Sequence, residues 1–127
     1  MLNVDDADFG ILAKLRQEFI DVARNQLDGI DKKLDQLDSA QPGADEVLHS
    51  IQRDIHNIMG QGATFGFPLT GRVAQMLEDY LKNADAINAE NLADIRVYLG
   101  LMVKLISTGE SIGEDDPQNL LDTLPTG

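Results

Sequence analysis

The stretch LAKLRQEFIDVARNQLDGIDKKLDQL, residues 12–37, decides the fold class. Its apolar residues advance by threes and fours, which is the spacing of one face of an α-helix. These residues are Leu12, Leu15, Phe19, Ala23, Leu27, Ile30, Leu34 and Leu37. The pattern predicts a helix of roughly eight turns that buries one continuous apolar stripe.

Three further segments have the same helical period, and almost nothing in the chain alternates like a β-strand. The second segment opens near Asp45, a plausible N-cap, and the third opens at Pro68, which suits a first helical turn. The fourth opens near Asn88 and ends at Gly109. The sequence therefore predicts an all-α, antiparallel up-down-up-down four-helix bundle. Residues 5–9 leave open a short extra N-terminal helix.

The length of 127 residues fits one domain, which we assign to residues 1–112. The stretch SAQPG, residues 39–43, separates the first two helices. Residues 113–127 are acidic and contain proline, which indicates a tail or a linker. A second interpretation stays open for this end, because three leucines could place a short helix on the bundle. They are Leu120, Leu121 and Leu124.

Charge and composition exclude several classes of function. The 22 acidic and 10 basic residues give a formal charge of -12, which disfavours nucleic acid and anionic membrane surfaces as partners. The absence of cysteine removes disulfides and thiolate metal sites. No apolar run is long enough to span a bilayer, and the first residues do not resemble a signal peptide. We expect a soluble, cytoplasmic protein.

Enzymatic motifs give no support for catalysis: there is no phosphate-binding GxxxxGK[ST], no HExxH and no EF-hand pattern. The letters of GxSxG occur once, as GESIG at residues 109–113, but they follow a predicted helix instead of the strand that a serine elbow requires. A helical di-metal site needs a Glu-x-x-His pair on each of two helices, and the sequence has only one, Glu46 with His49, so such a site is not supported. The unusual feature that remains is HNIMGQGATFG, residues 56–66, where one histidine is followed by three glycines and an alanine.

His56 is predicted to point outward, because it lies about 120° from the centre of the apolar face of its helix. Its predicted neighbours on the outer flank are Gln52, Met59, Gly60 and Ala63. Glycine inside a helix costs about 0.5–1 kcal/mol relative to alanine, and we interpret Gly60 as giving a partner protein access to the imidazole. Gly62 falls on the inward face and is interpreted as a site of close helix packing. His49 has no such neighbours and is treated as an ordinary surface histidine.

The hairpin between the second and third helices turns near Phe67, so residues equidistant from that turn should face each other. This counting pairs His56 with Glu78, and Met59 with Gln75. A carboxylate bonded to one imidazole nitrogen would leave the other as a free lone pair, as a histidine nucleophile requires. The alternative is that His56 is incidental, since most exposed helical histidines have no function.

The segment IQRDIHNIMGQGATFGFPL resembles the signature of the histidine-containing phosphotransfer (Hpt) family, which reads His-x-[Leu/Ile]-Lys-Gly with a further Gly six residues later. The matching positions are His56, Ile58, Gly60 and Gly66. The loop at residues 63–67 is similar to that of the phosphoacceptor domain of chemotaxis-type histidine kinases, and Glu78 and Gln75 fall where that group has polar neighbours of its histidine. Met59 departs from the pattern, because the family usually has lysine there.

The resemblance implies that His56 accepts a phosphoryl group from a histidine kinase or a receiver domain and passes it to a receiver aspartate. Glu78 would orient the imidazole, and Gly66 would have a structural role in the loop after the second helix. The receiver would dock around His56, with Arg72 and Gln75 of the third helix completing the surface. No cofactor is expected in this chain, and Mg²⁺ is expected on the partner. The competing interpretation is a degenerate module that binds receivers without carrying phosphate.

Overall fold

The computed structural model describes residues 4–37, 43–84, 87–113 and 116–126, with side chains in the first helix from residue 10 onward. These described ranges contain five helices, which are α1 (Val4–Leu37), α2 (Ala44–Thr64), α3 (Pro68–Asn83), α4 (Ala89–Ser107) and α5 (Pro117–Asp122). Helix α1 packs on α2 and α4, and α3 packs on the same two helices, which closes a ring of four. The described ranges contain no strand. The predicted four-helix bundle is confirmed.

The stripe of α1 enters the core only from Phe19 onward. Ala23, Ile30 and Leu34 are fully buried, whereas Leu12 and Leu15 are exposed. The expectation of one buried stripe from Leu12 is therefore wrong at its beginning. The reason is that α1 starts at Val4 and its first turns run past the α2–α3 turn, which α1 contacts through Arg16. Residues 5–9 form no separate helix, because they belong to α1.

Three of the helix starts can be compared with the expected caps. Pro68 occupies the first turn of α3, and the Asn88 side chain accepts a hydrogen bond from the Asn91 amide in a capping box, as predicted. Asp45 is not the N-cap of α2, because the helix begins one residue earlier, after Gly43 with a φ of 93°. Asp45 instead lies in the first turn, where its charge favours the positive end of the helix dipole.

The turn after α4 contributes an unexpected cap to α3. The Glu110 carboxylate accepts hydrogen bonds from the Leu69 amide at 3.1 Å and from the Thr70 amide at 2.6 Å. It also accepts one from the Thr70 hydroxyl at 2.7 Å. Glu110 itself has a φ of 63°, which is uncommon for a residue other than glycine. The start of α3 is thereby tied to the end of α4.

Residues 116–126 fold back onto the bundle. The Asp116 side chain caps α5, and Leu121 and Leu124 are buried in the common core. The Tyr98 hydroxyl of α4 donates a hydrogen bond to the Pro125 carbonyl. The short helix that the three leucines suggested is present, so this part of the chain is not a free tail or linker. The domain boundary at residue 112 stays a prediction, and the predicted break at residues 39–42 lies outside the described residues.

Candidate functional site

His56 lies on the outer face of α2 with 64% of its side chain exposed. The opposite face is anchored by Ile51, Ile55 and Ile58, which are fully buried, so the rotation of α2 is fixed by the core. The imidazole Nδ1 lies 3.4 Å from Oε2 of Glu78 on α3. When Nδ1 bears the hydrogen, it donates to this carboxylate and Nε2 carries the lone pair. The arrangement can therefore present a neutral, solvent-facing nucleophile.

The Glu78 carboxylate connects two basic groups. Its side chain is only 16% exposed, and its second oxygen, Oε1, lies 3.1 Å from Nζ of Lys82 one turn further along α3. The hydrogen bond from Lys82 holds the pKa of Glu78 below its usual value, against a smaller raising effect of burial. The hydrogen bond from His56 lowers this pKa further. Glu78 is thus ionised at neutral pH and able to accept from Nδ1.

Two glycines set how closely α2 and α3 approach above the histidine. A Cβ added to Gly62 would lie 3.1 Å from the Phe67 carbonyl oxygen and 3.2 Å from the Gly71 amide nitrogen. A Cβ added to Gly71 would lie 3.1 Å from the Met59 carbonyl oxygen. All three distances are shorter than ordinary contacts of a Cβ atom, so the backbones of the two helices pack directly against each other here. This contact fixes the register that brings Glu78 opposite His56.

The turn between the helices is held against α1. Gly66 has a φ of 86°, a left-handed conformation that favours glycine. Phe67 is fully buried, with its ring centroid 5.1 Å from that of Phe19. The Arg16 guanidinium lies 4.8 Å from the centre of the Phe67 ring, at a distance typical of a cation–π contact. The hairpin that carries the site is therefore fixed at its tip.

The remaining predicted site residues surround His56 in different environments. Gly60 and Ala63 are exposed on α2, and a Cβ added to Gly60 would find no atom within 4 Å. Gln52 is half-buried, and Met59 packs partly against the core. Arg72 and Gln75 are exposed on α3. Within the described part of the chain, Gln75 makes no side-chain hydrogen bond to the imidazole, so of the predicted site residues Glu78 alone is hydrogen-bonded to it.

Sequence reasoning missed three residues that shape this site. Lys82 lies four residues after Glu78, a spacing at which opposite charges meet on a helix. Its ion pair with Glu78 could therefore have been predicted from the sequence. Gly71 pairs with Gly62 by the same counting across the turn that paired His56 with Glu78. Glu110 gave no local signal, because its partners lie about forty residues away in sequence.

Neither a metal cluster nor a membrane span is present in the ranges that the structure describes. No group of three or more His, Asp or Glu side chains there is arranged to hold a metal ion. None of the helices there combines the length and apolarity needed to cross a membrane.

Comparison with protein-family models matches residues 14–109 to the Hpt domain, about three quarters of the chain. The chain belongs to the Hpt family. Hpt domains are phosphocarriers that work with kinases and receiver domains in phosphorelays, and they are not enzymes by themselves. The matched range includes the pair of His56 and Glu78, whereas Glu110 and α5 lie beyond it. Comparisons with curated proteins and with solved structures gave no match.

Proposed function

We propose that this Hpt domain carries a phosphoryl group on His56 in a two-component phosphorelay. The group would come from a histidine kinase or from the aspartyl phosphate of a receiver domain, and would pass to a receiver aspartate. The observation that carries the proposal is the exposed imidazole held at Nδ1 by Glu78, which leaves Nε2 open to a partner. A cytoplasmic location is part of the proposal.

The proposed transfer needs little from this chain beyond the nucleophile. The Nε2 lone pair forms the new N–P bond while the bond between phosphorus and the donor oxygen breaks, and that electron pair leaves with the oxygen. The ring becomes positively charged. Its Nδ1–H group still donates a hydrogen bond to the Glu78 carboxylate, whose negative charge stabilises the ring. In the proposal the partner supplies ATP or aspartyl phosphate together with Mg²⁺.

The proposed docking surface has small side chains at its centre and polar side chains at its rim. Gly60 and Ala63 offer little side chain beside the histidine, and Met59 adds a flexible apolar contact. The rim consists of Gln52, Arg72 and Gln75. Because nothing lies within 4 Å of a Cβ at Gly60, the change Gly60→Leu should preserve the fold while its side chain obstructs the receiver.

Transfer from a phosphorylated receiver should slow at least roughly tenfold in Gly60→Leu, the effect expected of misplacing reactants by an ångström or more. Gly100→Leu is the matched control, since Gly100 is also an exposed helical glycine with no atom within 4 Å of an added Cβ. Normal transfer kinetics in Gly60→Leu would contradict the docking surface.

The test of the carrier itself compares wild type with His56→Gln and His49→Gln. Each protein is incubated with radiolabelled phosphorylated receivers and with chemotaxis-type kinase cores plus ATP. His49 is exposed on the same helix and serves as the matched control. An acid-labile label lost only in His56→Gln supports the proposal. Equal labelling of His56→Gln and wild type would refute it.

A second candidate function rests on Met59. The family pattern usually has lysine at this position, whose charge would offset that of the phosphoryl group, so the chain could be a degenerate module that binds receivers without carrying phosphate. Receiver binding in the absence of any label, unaffected by His56→Gln, favours this second function. The chemotaxis-type donor is proposed from the loop at residues 63–67 and from the polar positions Gln75 and Glu78. If only kinases of other classes label the protein, the proposed chemotaxis-type donor is wrong.

A further inference from the structure

A basic group on α3 belongs to the same hydrogen-bond network as His56. Met59, one turn after His56 on α2, carries no charge, and its side chain packs partly against the core. Lys82 on α3 instead places its ammonium 3.1 Å from Oε1 of Glu78, while Oε2 of the same carboxylate lies 3.4 Å from Nδ1 of His56. One carboxylate therefore bridges an ammonium and the imidazole.

We propose that Lys82 is a positioning residue for His56: by holding one oxygen of Glu78, it fixes the other oxygen on Nδ1 of the imidazole. This inference rests on the proposed function of His56 and adds to it a residue from the opposite helix.

The local geometry favours a stable contact between Lys82 and Glu78. A glutamate four residues before a lysine is the better of the two orders for an ion pair on a helix. Lys82 also lies in the last turn of α3, where the helix dipole attracts a cation. The ammonium is therefore held by two effects at once, although it is largely exposed.

Anchoring one oxygen matters because a glutamate side chain rotates freely about several bonds. Glu78 is mostly buried between two exposed partners, so its carboxylate has few other orientations once Lys82 is bound. Its remaining oxygen then stays directed at Nδ1, which selects the imidazole tautomer with the hydrogen on Nδ1 and the lone pair on Nε2. The hydrogen bond from Lys82 is also the main cause that lowers the pKa of Glu78, so the carboxylate remains an acceptor.

The experiment compares wild type with Lys82→Met and Lys82→Arg, using two readouts. The first is the tautomer of the His56 ring in the unphosphorylated protein, read from long-range ¹H–¹⁵N spectra. The second is phosphorylation of His56 by phosphoramidate, a small donor that needs no docking surface. In that step the Nε2–P bond forms, the P–N bond breaks, and ammonia leaves with its electron pair. The matched control is Lys32→Met, because Lys32 forms an exposed ion pair of the same spacing with Asp28 at 3.0 Å on α1.

We expect Lys82→Met to lower the fraction of the Nδ1–H tautomer and to slow labelling roughly twofold to fivefold, the range for a largely exposed ion pair. Lys82→Arg should restore both readouts, and Lys32→Met should change neither. An unchanged tautomer in Lys82→Met overturns the positioning role, whatever the rate. Failure of wild type to accept phosphate on His56 counts instead against the proposed function, and the tautomer readout still decides the role of Lys82.

Discussion

Replacing Glu110 with alanine should destabilise the bundle by about 3 kcal/mol, because it removes the only acceptor that the described residues offer to three buried or partly buried donors at the start of α3. The carboxylate accepts from the Leu69 amide, the Thr70 amide and the Thr70 hydroxyl at 3.1, 2.6 and 2.7 Å. Thr70 is fully buried, so water cannot easily replace the lost partner. The change also removes a negative charge from the positive end of the helix dipole.

The magnitude follows from the type of bond. A hydrogen bond to a charged group contributes about 1.5–3 kcal/mol, and three that share one carboxylate do not add fully. The loss of charge at the helix end adds about 0.3–1 kcal/mol. Because Glu110 has a φ of 63°, the change Glu110→Gly also relieves backbone strain of about 1–2 kcal/mol. The glycine variant should therefore be about 1 kcal/mol more stable than the alanine variant.

Urea unfolding followed by far-ultraviolet circular dichroism measures these differences, with Glu110→Gln as the variant that keeps an oxygen acceptor but loses the charge. We expect the order of stability to be wild type, Gln, Gly, Ala. A loss below about 1 kcal/mol in Glu110→Ala would refute the capping argument, since it is smaller than one charged hydrogen bond. Equal stability of the glycine and alanine variants would show that the left-handed backbone at residue 110 is not strained.

Two further changes test the packing and charge of the α2–α3 hairpin, and a third tests an exposed glycine of α4. Gly62→Ala should destabilise the protein by about 1–3 kcal/mol in thermal unfolding, because its Cβ would lie 3.1 Å from a backbone oxygen and force α2 and α3 apart. Gly100→Ala should stabilise it by about 0.5–1 kcal/mol, since the added methyl group meets open space on a helix; a loss of stability would contradict this. The pKa of Glu78 is lowered on folding, so its ionised form stabilises the protein above the usual glutamate pKa of about 4.3 and this contribution disappears as the pH falls through the folded value. Wild type should therefore exceed Glu78→Gln in urea midpoint by more at pH 6 than at pH 3, and a pH-independent difference would exclude this linkage.

The sequence predicted the bundle because each of the four long helices carries an amphipathic pattern whose apolar face must be buried. It could not predict where that burial stops. Leu12 and Leu15 continue the stripe of α1, but periodicity identifies a face and says nothing about whether a partner exists at that height. The stretch around Leu121 was ambiguous for a related reason, since six helical residues become stable only through packing on the rest of the bundle.

The central contact of the site was predictable because a short turn makes two helices antiparallel and fixes their register. Counting from Phe67 therefore found Glu78 opposite His56, and would also have found Gly71 opposite Gly62. The cap from Glu110 was out of reach, because it depends on a left-handed residue and on where the end of α4 meets α3. Local patterns predict contacts within one hairpin, and contacts between hairpins need the assembled bundle.

The described geometry separates reactivity from partner choice. Glu78 contacts the imidazole at Nδ1, and Lys82 acts on the imidazole through Glu78. Gly60 and Ala63 instead lie at the surface that a partner would approach. A small donor such as phosphoramidate depends only on the first group, and a receiver domain depends on both. Changes at Lys82 should therefore slow both donors by the same factor, while Gly60→Leu should slow only the receiver. If Gly60→Leu also slowed the small donor, the glycine would act on the imidazole itself, and the division between the two groups would be wrong.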